Sequence, residues 1–84
     1  MPAVIYPGSF DPITKGHIDV ILRLRKIFDR VVVVVADSSS KKYFFTKAER
    51  VTLVCEALGN KKGIEVAAWS GLTVNFAKEA GINV

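Results

Sequence analysis

The chain has 84 residues, half of them apolar, with 12 Lys and Arg, 8 Asp and Glu, and a net charge of +4. Its one cysteine cannot form a disulfide within the chain, so the composition favours a single domain in a reducing cytoplasm. No apolar run approaches the roughly 20 residues of a membrane-spanning helix, and the first residues lack the pattern of a secretory signal. The basic residues are scattered, which favours small anionic ligands over nucleic acid or a membrane as partners.

Short apolar segments alternate with longer amphipathic segments along the chain. Five consecutive valines without polar alternation predict a strand that is buried on both faces, as in a parallel sheet covered by helices. The predicted strands cover residues 3–6, 31–35, 64–69 and 82–84. The predicted helices cover residues 16–28, 46–58 and 72–80.

Local signals support the first two helices. Thr46 and Glu49 have the spacing of a capping box, and Gly59 follows the predicted end of the second helix. The first helix carries residues at helical spacing on one face, namely His17, Ile21, Leu24 and Phe28.

The order β-α-β-α-β-α-β predicts an α/β fold with a parallel sheet and helices on both faces, formed by one domain over residues 1–84. The last predicted strand reaches the final residue, so we expect the sheet of this chain to be incomplete. Ligands of such sheets bind beyond the carboxyl ends of the strands. The loops expected at that edge are residues 7–16, 37–45 and 70–73.

The first of these loops carries the strongest functional signal. Gly8 can let a ligand approach the backbone closely, and Ser9 offers an N–H and a hydroxyl donor. Gly16 leaves space beside a helix N-terminus, where unpaired N–H groups and the helix dipole attract phosphate. His17 lies in the first turn of that helix, so its ring can face the same helix N-terminus. A single histidine on an apolar helix face is more often a core residue, so it is the surrounding loop that favours a site.

Other residues are interpreted as structural. We expect Phe10 to pack under the first loop and Asp11 to stabilise a turn as a hydrogen-bond acceptor. Cys55 has no second cysteine near it and is predicted to be a small buried side chain. Trp69, at the end of a strand, is predicted to pack. Asp37 follows a strand as a ribose-binding acid does in dinucleotide folds, but the glycine fingerprint of those folds is missing, so this role is discounted.

Residues 8–17 read GSFDPITKGH and resemble the T/HxGH signature of the nucleotidyltransferase superfamily. Further residues are similar to the bacterial phosphopantetheine adenylyltransferase family, so the resemblance extends over essentially the whole chain and implies a Rossmann-like nucleotidyltransferase fold. These further residues are Tyr6-Pro7, Ser40-Lys41-Lys42, Phe45-Thr46, Glu49-Arg50 and Asn75-Phe76-Ala77.

The resemblance implies an enzyme of coenzyme A biosynthesis that transfers an adenylyl group from ATP to 4′-phosphopantetheine, giving dephospho-CoA and pyrophosphate. It also implies Mg²⁺ as the cofactor, a homohexamer as the assembly and a cytoplasmic location. Full members of the family are longer, with an arginine-containing stretch and a late I-S-S-[TS] motif that this chain lacks. We therefore expect the chain by itself to be weakly active or inactive.

The resemblance assigns roles to residues that match the signature. It implies that His17 binds the α-phosphate of ATP and stabilises the charge that develops there. It implies that Ser9 holds a phosphate of ATP or of 4′-phosphopantetheine, and that Phe10 lies beside ATP through its backbone.

The acceptor side of the implied site comes from the later loops. Lys41 matches the loop lysine that binds the phosphate of the attacking substrate, and Leu72 and Thr73 match residues that contact the pantetheine arm through backbone groups. No side chain is implied as a metal ligand. The attacking phosphate is already an anion, so the chemistry needs charge-matched donors rather than a general base.

Two alternatives stay open. The T/HxGH signature does not name the acceptor, so the chain could belong to a cytidylyltransferase or a nicotinamide-nucleotide adenylyltransferase. A different class of function is a non-catalytic fragment that binds phosphate-bearing ligands. The residues around Lys41 and Leu72 favour pantetheine as the acceptor.

Overall fold

The computed structural model describes residues 3–37, 42–59 and 61–70. The elements in chain order are β1 (Ala3–Gly8), α1 (Lys15–Ile27), β2 (Arg30–Asp37), α2 (Lys47–Leu58) and β3 (Ile64–Ser70). The described strands form a parallel sheet in the order β1-β2-β3, which confirms the predicted α/β class. The predicted third helix and fourth strand lie outside the described residues.

The central strand β2 carries the valine run. Each valine from Val31 to Val35 is at most 3% exposed, as the absence of alternation predicts. β2 pairs with β1 on one side and with β3 on the other, so its backbone groups are paired in both directions. The prediction of a strand buried on both faces is confirmed.

Strand β1 is longer than predicted. It continues through Pro7 and Gly8, which pair with Val34 and Val35, whereas the sequence pattern ended the strand at Tyr6. Among the described strands β1 lies at an edge of the sheet, and proline is tolerated in edge strands because only one side of the backbone must donate to a neighbour.

Both described helices cover the same face of the sheet. Two right-handed crossovers that move in the same direction across a sheet place both helices on one side. The core on that side contains buried residues from both helices, the first loop and β2: Phe10, Ile21, Val31, Val33, Val35, Val54 and Leu58. On the other face Trp69 packs against Ile5, Val32 and Val34, which confirms its predicted packing role.

Capping boxes begin both helices. In α2 the Thr46 N–H donates to Glu49 Oε1 at 2.9 Å and the Glu49 N–H donates to Thr46 Oγ1 at 3.2 Å, as predicted. Gly59 ends this helix with a φ of 65°, a left-handed value that favours glycine. In the described part of the chain, no helix is long and apolar enough to span a membrane.

The prediction that Cys55 is buried is wrong, because the thiol-bearing residue is exposed. The buried residues of α2 are Arg50, Val54 and Leu58, which follow one another at intervals of four. Cys55 follows Val54 directly and is therefore turned by about 100° from the buried stripe. The buried stripe of α2 begins with Arg50, a charged residue, so the apolar residues alone do not show which face of this helix is buried.

Candidate active site at the carboxyl edge of the sheet

The carboxyl ends of the described strands meet at one edge of the sheet. Gly8 at the end of β1 pairs with Val35, and Asp37 at the end of β2 pairs with Ser70. The first loop begins at Ser9, directly beyond β1. The structure therefore places this loop at the edge where parallel sheets bind their ligands, as predicted.

His17 is the third residue of α1 and completes the capping box at the start of that helix. The backbone N–H of Thr14 donates to Nδ1 of His17 at 3.0 Å, and Thr14 Oγ1 lies 3.1 Å from the same nitrogen. The His17 N–H in turn donates to Thr14 Oγ1 at 3.4 Å. A histidine thus takes the place that glutamate or glutamine usually holds in a capping box, and its ring is fixed locally.

The bond from Thr14 determines the tautomer of the His17 ring. A backbone N–H can only donate, so Nδ1 acts as the acceptor and the proton of the neutral ring belongs on Nε2. His17 is half-buried, so its ring is not sealed in the core. The arrangement presents an Nε2–H donor beside a helix N-terminus, where the dipole favours an anion.

Phe10 packs against the ring of His17. It is 2% exposed, and its ring centroid lies 5.0 Å from that of His17 and 5.7 Å from that of Tyr6, both in edge-on geometry. The predicted packing role of Phe10 is confirmed. Its aromatic ring restricts the movement of the imidazole.

Gly8 packs closely against Phe10. A Cβ added at Gly8 would lie 3.0 Å from Cζ and 3.1 Å from Cε2 of Phe10, closer than side chains normally approach. The ring of Phe10 thus occupies the side of Gly8 on which a Cβ would lie, which accounts for a glycine at this position. At Gly16 a Cβ would meet only Thr14 Oγ1, at 3.7 Å, among the described atoms. The space beside the start of α1 is open there.

Arg50 is the residue that sequence reasoning missed. Its side chain is 1% exposed. The guanidinium donates from Nε to the carbonyl oxygen of Phe45 at 3.1 Å and from one terminal nitrogen to those of Ser9 at 3.0 Å and Ala36 at 3.5 Å. Its other terminal nitrogen bonds to Oδ1 of Asp37. One buried cation thus holds the ends of β1 and β2 and the start of α2 together.

Asp37 is an anchor for this cation. Its carboxylate pairs with Arg50 and, through Oδ2, with Nζ of Lys47 at 3.2 Å. The hydrogen bond from Arg50 lowers the pKa of Asp37 below its ordinary value of 3.8; burial opposes this shift, and Lys47 reinforces it. These contacts give Asp37 a structural role, in agreement with the missing glycine fingerprint of dinucleotide folds.

Asp11 joins the first loop to the segment before α2. Its carboxylate accepts hydrogen bonds from the backbone N–H groups of Phe44 at 2.6 Å and Phe45 at 2.9 Å. Asp11 is an acceptor with a structural role, as predicted, but its donors lie more than 30 residues away in sequence instead of in a local turn. The two loops are therefore tied together at both Asp11 and Arg50.

The described residues include only part of the site that the resemblance implies. His17 and Phe10 are in contact, and Ser9 directly precedes Phe10 with its carbonyl bound by Arg50. Lys41, Leu72 and Thr73 lie outside the described residues. Within residues 3–37, 42–59 and 61–70, no three His, Cys, Asp or Glu side chains are grouped so that they could hold a metal ion.

One clue to Arg50 was present in the sequence. Arg50, Val54 and Leu58 follow at intervals of four, so an arginine begins the apolar stripe of the second helix. A charged residue on such a stripe is buried only when its charge is paired, which points to an acidic partner and to backbone carbonyls. The sequence could have raised this possibility, although it could not identify the partners.

Comparison with known proteins relates this edge of the sheet to a family. A family model described as cytidylyltransferase-like matches residues 5–84. A phosphopantetheine adenylyltransferase of Campylobacter concisus is 51% identical over 79 residues, covering 94% of this chain and 51% of the relative. The corresponding protein of Clostridium beijerinckii is 45% identical over 84 residues, covering 100% of this chain and 53% of the relative.

Another phosphopantetheine adenylyltransferase, from Campylobacter hominis, is 55% identical over 74 residues, covering 88% of this chain and 46% of the relative. The chain thus spans about half the length of the curated relatives that it matches. The matched segment includes the first loop, α1 and all of the described sheet except the first residues of β1.

Proposed function

The chain belongs to the cytidylyltransferase-like family, and on this premise we propose that it takes part in adenylyl transfer from ATP to 4′-phosphopantetheine. The products are dephospho-CoA and pyrophosphate, a step of coenzyme A biosynthesis. The names of the similar proteins support this acceptor, since each of the relatives described above is a phosphopantetheine adenylyltransferase.

The observation that carries the proposal is the setting of His17. Its Nδ1 is engaged by Thr14 and its ring rests on Phe10, which leaves Nε2–H as a donor beside the start of α1. We assign this donor to the α-phosphate of ATP, where negative charge develops as the acceptor phosphate attacks and pyrophosphate leaves. A donor that is already oriented needs no rearrangement when the charge develops.

The remaining described groups of the first loop fit the binding of anions. Ser9 and Phe10 lie directly beyond β1, and the ring of Phe10 contacts His17 in the first turn of α1. We propose that Ser9 holds a substrate phosphate and that the Phe10 backbone lies beside ATP. Lys41, Leu72 and Thr73 remain our proposed contacts for the acceptor.

We propose that Mg²⁺ enters bound to the triphosphate of ATP. In the described part of the chain no group of three metal-ligating side chains is present, whereas Mg²⁺ is commonly held by substrate phosphates with few protein ligands. The ion would neutralise phosphate charge when bound, and none of the residue roles above depends on it. A cytoplasmic location and a homo-oligomeric assembly, a hexamer in the longer form, complete the proposal.

Release of pyrophosphate in the presence of ATP and 4′-phosphopantetheine tests this function. We expect turnover from the full-length protein and little or none from the 84-residue chain alone. His17→Ala in the full-length protein is expected to lower kcat by at least about a hundredfold, the cost of losing one oriented transition-state donor. Circular dichroism should show an unchanged fold. Near-normal turnover of this variant would remove His17 from the mechanism.

The choice of acceptor needs its own experiment. The matching family model is described as cytidylyltransferase-like, so we compare 4′-phosphopantetheine with phosphocholine and nicotinamide mononucleotide in the same assay, using both ATP and CTP. We expect turnover only with ATP and 4′-phosphopantetheine. A preference for CTP or for another acceptor would keep nucleotidyl transfer and replace the substrates. Ligand binding without turnover in the full-length protein would favour the non-catalytic alternative.

A further inference from the structure

The Ser9–Phe10 peptide is held from inside the protein. The carbonyl oxygen of Ser9 accepts a hydrogen bond from the Arg50 guanidinium at 3.0 Å, and the Arg50 side chain is 1% exposed. The carbonyl must therefore point into the protein interior, towards the start of α2. The left-handed φ of 49° at Phe10 then turns the chain sharply.

This orientation has a consequence for the next N–H group. The C=O and N–H of a planar trans peptide point in opposite directions, so the Phe10 N–H points away from the guanidinium. It donates to no other residue in the described part of the chain. Meanwhile the side chain of Phe10 is buried against His17. A single residue thus places its ring in the core and leaves its N–H as a donor.

Arg50 is suited to fixing this peptide and unsuited to binding substrate directly. It donates to three backbone carbonyls and one carboxylate, and its charge is matched by Asp37. The guanidinium also lies 4.1 Å from the ring centroid of Tyr43, which covers its face. With four of its five N–H donors engaged and its side chain buried, Arg50 acts on a ligand through the backbone that it holds.

We propose that Arg50 is a positioning residue for phosphate binding: its contact with the Ser9 carbonyl orients the Ser9–Phe10 peptide so that the Phe10 N–H donates to a phosphate oxygen of ATP. This inference rests on the proposed function, because it takes ATP as the ligand of the first loop. It explains the geometry of the Ser9–Phe10 peptide by Arg50, which lies in α2 and is more than 40 residues away in sequence.

Arg50→Lys in the full-length protein tests the proposal, since lysine keeps the positive charge but cannot hold several carbonyls in a planar fork. We expect the KM for ATP to rise about tenfold with kcat changed by less than about threefold, because an interaction made equally in the ground and transition states is lost. Arg30→Lys is the matched control: Arg30 pairs with Glu65 in exposed positions at the opposite edge, and its KM should equal that of the wild type.

A second variant separates the ion pair from the backbone contact. Asp37→Asn removes the carboxylate charge but leaves the guanidinium beside the carbonyl of Ser9, so its KM for ATP should stay within about twofold of the wild type. If Asp37→Asn raises the KM as much as Arg50→Lys does, the effect belongs to the ion pair and the proposal is overturned. A KM in Arg50→Lys equal to that of Arg30→Lys, with only a lower Tm, would reduce Arg50 to a structural residue.

A readout that needs no turnover distinguishes this proposal from the proposed function. In ¹H–¹⁵N spectra of the wild-type full-length protein, ATP is expected to shift the Phe10 amide, and Arg50→Lys should reduce that shift. If the amide shifts but no pyrophosphate is released with any acceptor, the positioning role stands and the proposed reaction falls. An unmoved Phe10 amide overturns the positioning role, and this measurement decides even if Arg50→Lys does not fold.

Discussion

Two arginine–carboxylate pairs lie at opposite edges of the same sheet. At the amino edge, Arg30 and Glu65 pair across β2 and β3 with side chains that are 47% and 50% exposed. At the carboxyl edge, Arg50 pairs with Asp37, and the arginine is 1% exposed. Both carboxylates have a pKa lowered by the hydrogen bond from their arginine.

The difference lies in what else each arginine contacts. In the described part of the chain the side chain of Arg30 bonds to Glu65, and both side chains are about half exposed to solvent. Arg50 also binds the carbonyl oxygens of three separate segments, so the pair at the carboxyl edge organises the loops of the candidate site. The same chemical pair is thus a surface feature at one edge and an organising element at the other, because burial decides which neighbours the arginine must satisfy.

The largest expected effect on stability comes from removing the buried arginine. Arg50→Met preserves much of the side-chain volume but removes the donor of three backbone carbonyls and the buried partner of Asp37, which keeps Lys47, so the free energy of unfolding should fall by about 3 kcal/mol. Urea unfolding of Arg50→Met and Arg30→Met checks this, and the exposed variant should differ little from the wild type. Equal losses in the two variants would contradict the contrast between the edges.

Gly63, which lies beside Arg25, allows a second test at the amino edge of the sheet. Gly63 has a φ of 84°, and a Cβ there would lie 2.7 Å from Cζ of Arg25 and 2.8 Å from the carbonyl oxygen of Asp29. Gly63→Ala should cost about 2 kcal/mol or more in thermal or urea unfolding, from backbone strain and from displacement of Arg25. Gly59→Ala is the control: its φ is 65°, and a Cβ added there would meet no atom of the described residues within 4 Å, so only the backbone strain applies.

If Gly63→Ala and Gly59→Ala destabilise the protein equally, displacement of Arg25 contributes nothing. In that case the hydrogen bond from Arg25 Nε to the Lys62 carbonyl, 2.9 Å long, would not constrain this turn.

Removing the hydrogen bonds that Asp11 accepts from the segment before α2 should lower the stability less. Asp11→Ala removes the acceptor of the Phe44 and Phe45 N–H groups, and water can replace part of what is lost, so the free energy of unfolding should fall by about 1 kcal/mol. Asp19→Ala is a matched control, because Asp19 is 60% exposed and pairs with Arg23 on the surface of α1. Hydrogen exchange should also rise at Phe44 and Phe45 in Asp11→Ala alone. Unchanged exchange there would argue against the tie.

The smallest expected effect is a dependence of stability on acid. The folded-state pKa of Asp37 lies below its ordinary 3.8, so the pair stabilises the folded state above that pH, and the contribution is lost as the pH falls through the folded-state pKa. Asp37→Asn should therefore flatten the fall in Tm between neutral pH and the acid range below 3.8. Glu65→Gln tests the exposed pair in the same way, from its ordinary value of 4.5. If Tm falls with pH in Asp37→Asn just as it does in the wild type, the acid dependence does not come from Asp37.

Local features of the site could be predicted from sequence. Thr14 and His17 are three residues apart, so the helix geometry alone brings the imidazole to the cap and places it beside the helix N-terminus. The loop GSFDPITKGH carried the resemblance from which the family was inferred, and the family model confirmed it. The strand of valines was predictable because burial on both faces removes the need for polar alternation.

Contacts between distant segments were beyond the reach of the sequence pattern. Asp11 was expected to stabilise a local turn, but its hydrogen-bond donors are set by how the loops fold against one another. The close contact of Gly8 with Phe10 likewise depends on the fold of the first loop. Cys55 was placed on the wrong face of α2 because the buried stripe of that helix begins with Arg50.

The amino-acid sequence by itself determined the alternation of strands and helices, the two helix starts and the local fixing of His17, since these depend on neighbours within one helical turn. Only the tertiary structure decided that Arg50 is buried and that it holds Ser9, Ala36 and Phe45 together with Asp37. The physical reason is that a charge can be buried only where acceptors from several segments converge, and convergence of distant segments is a property of the folded chain.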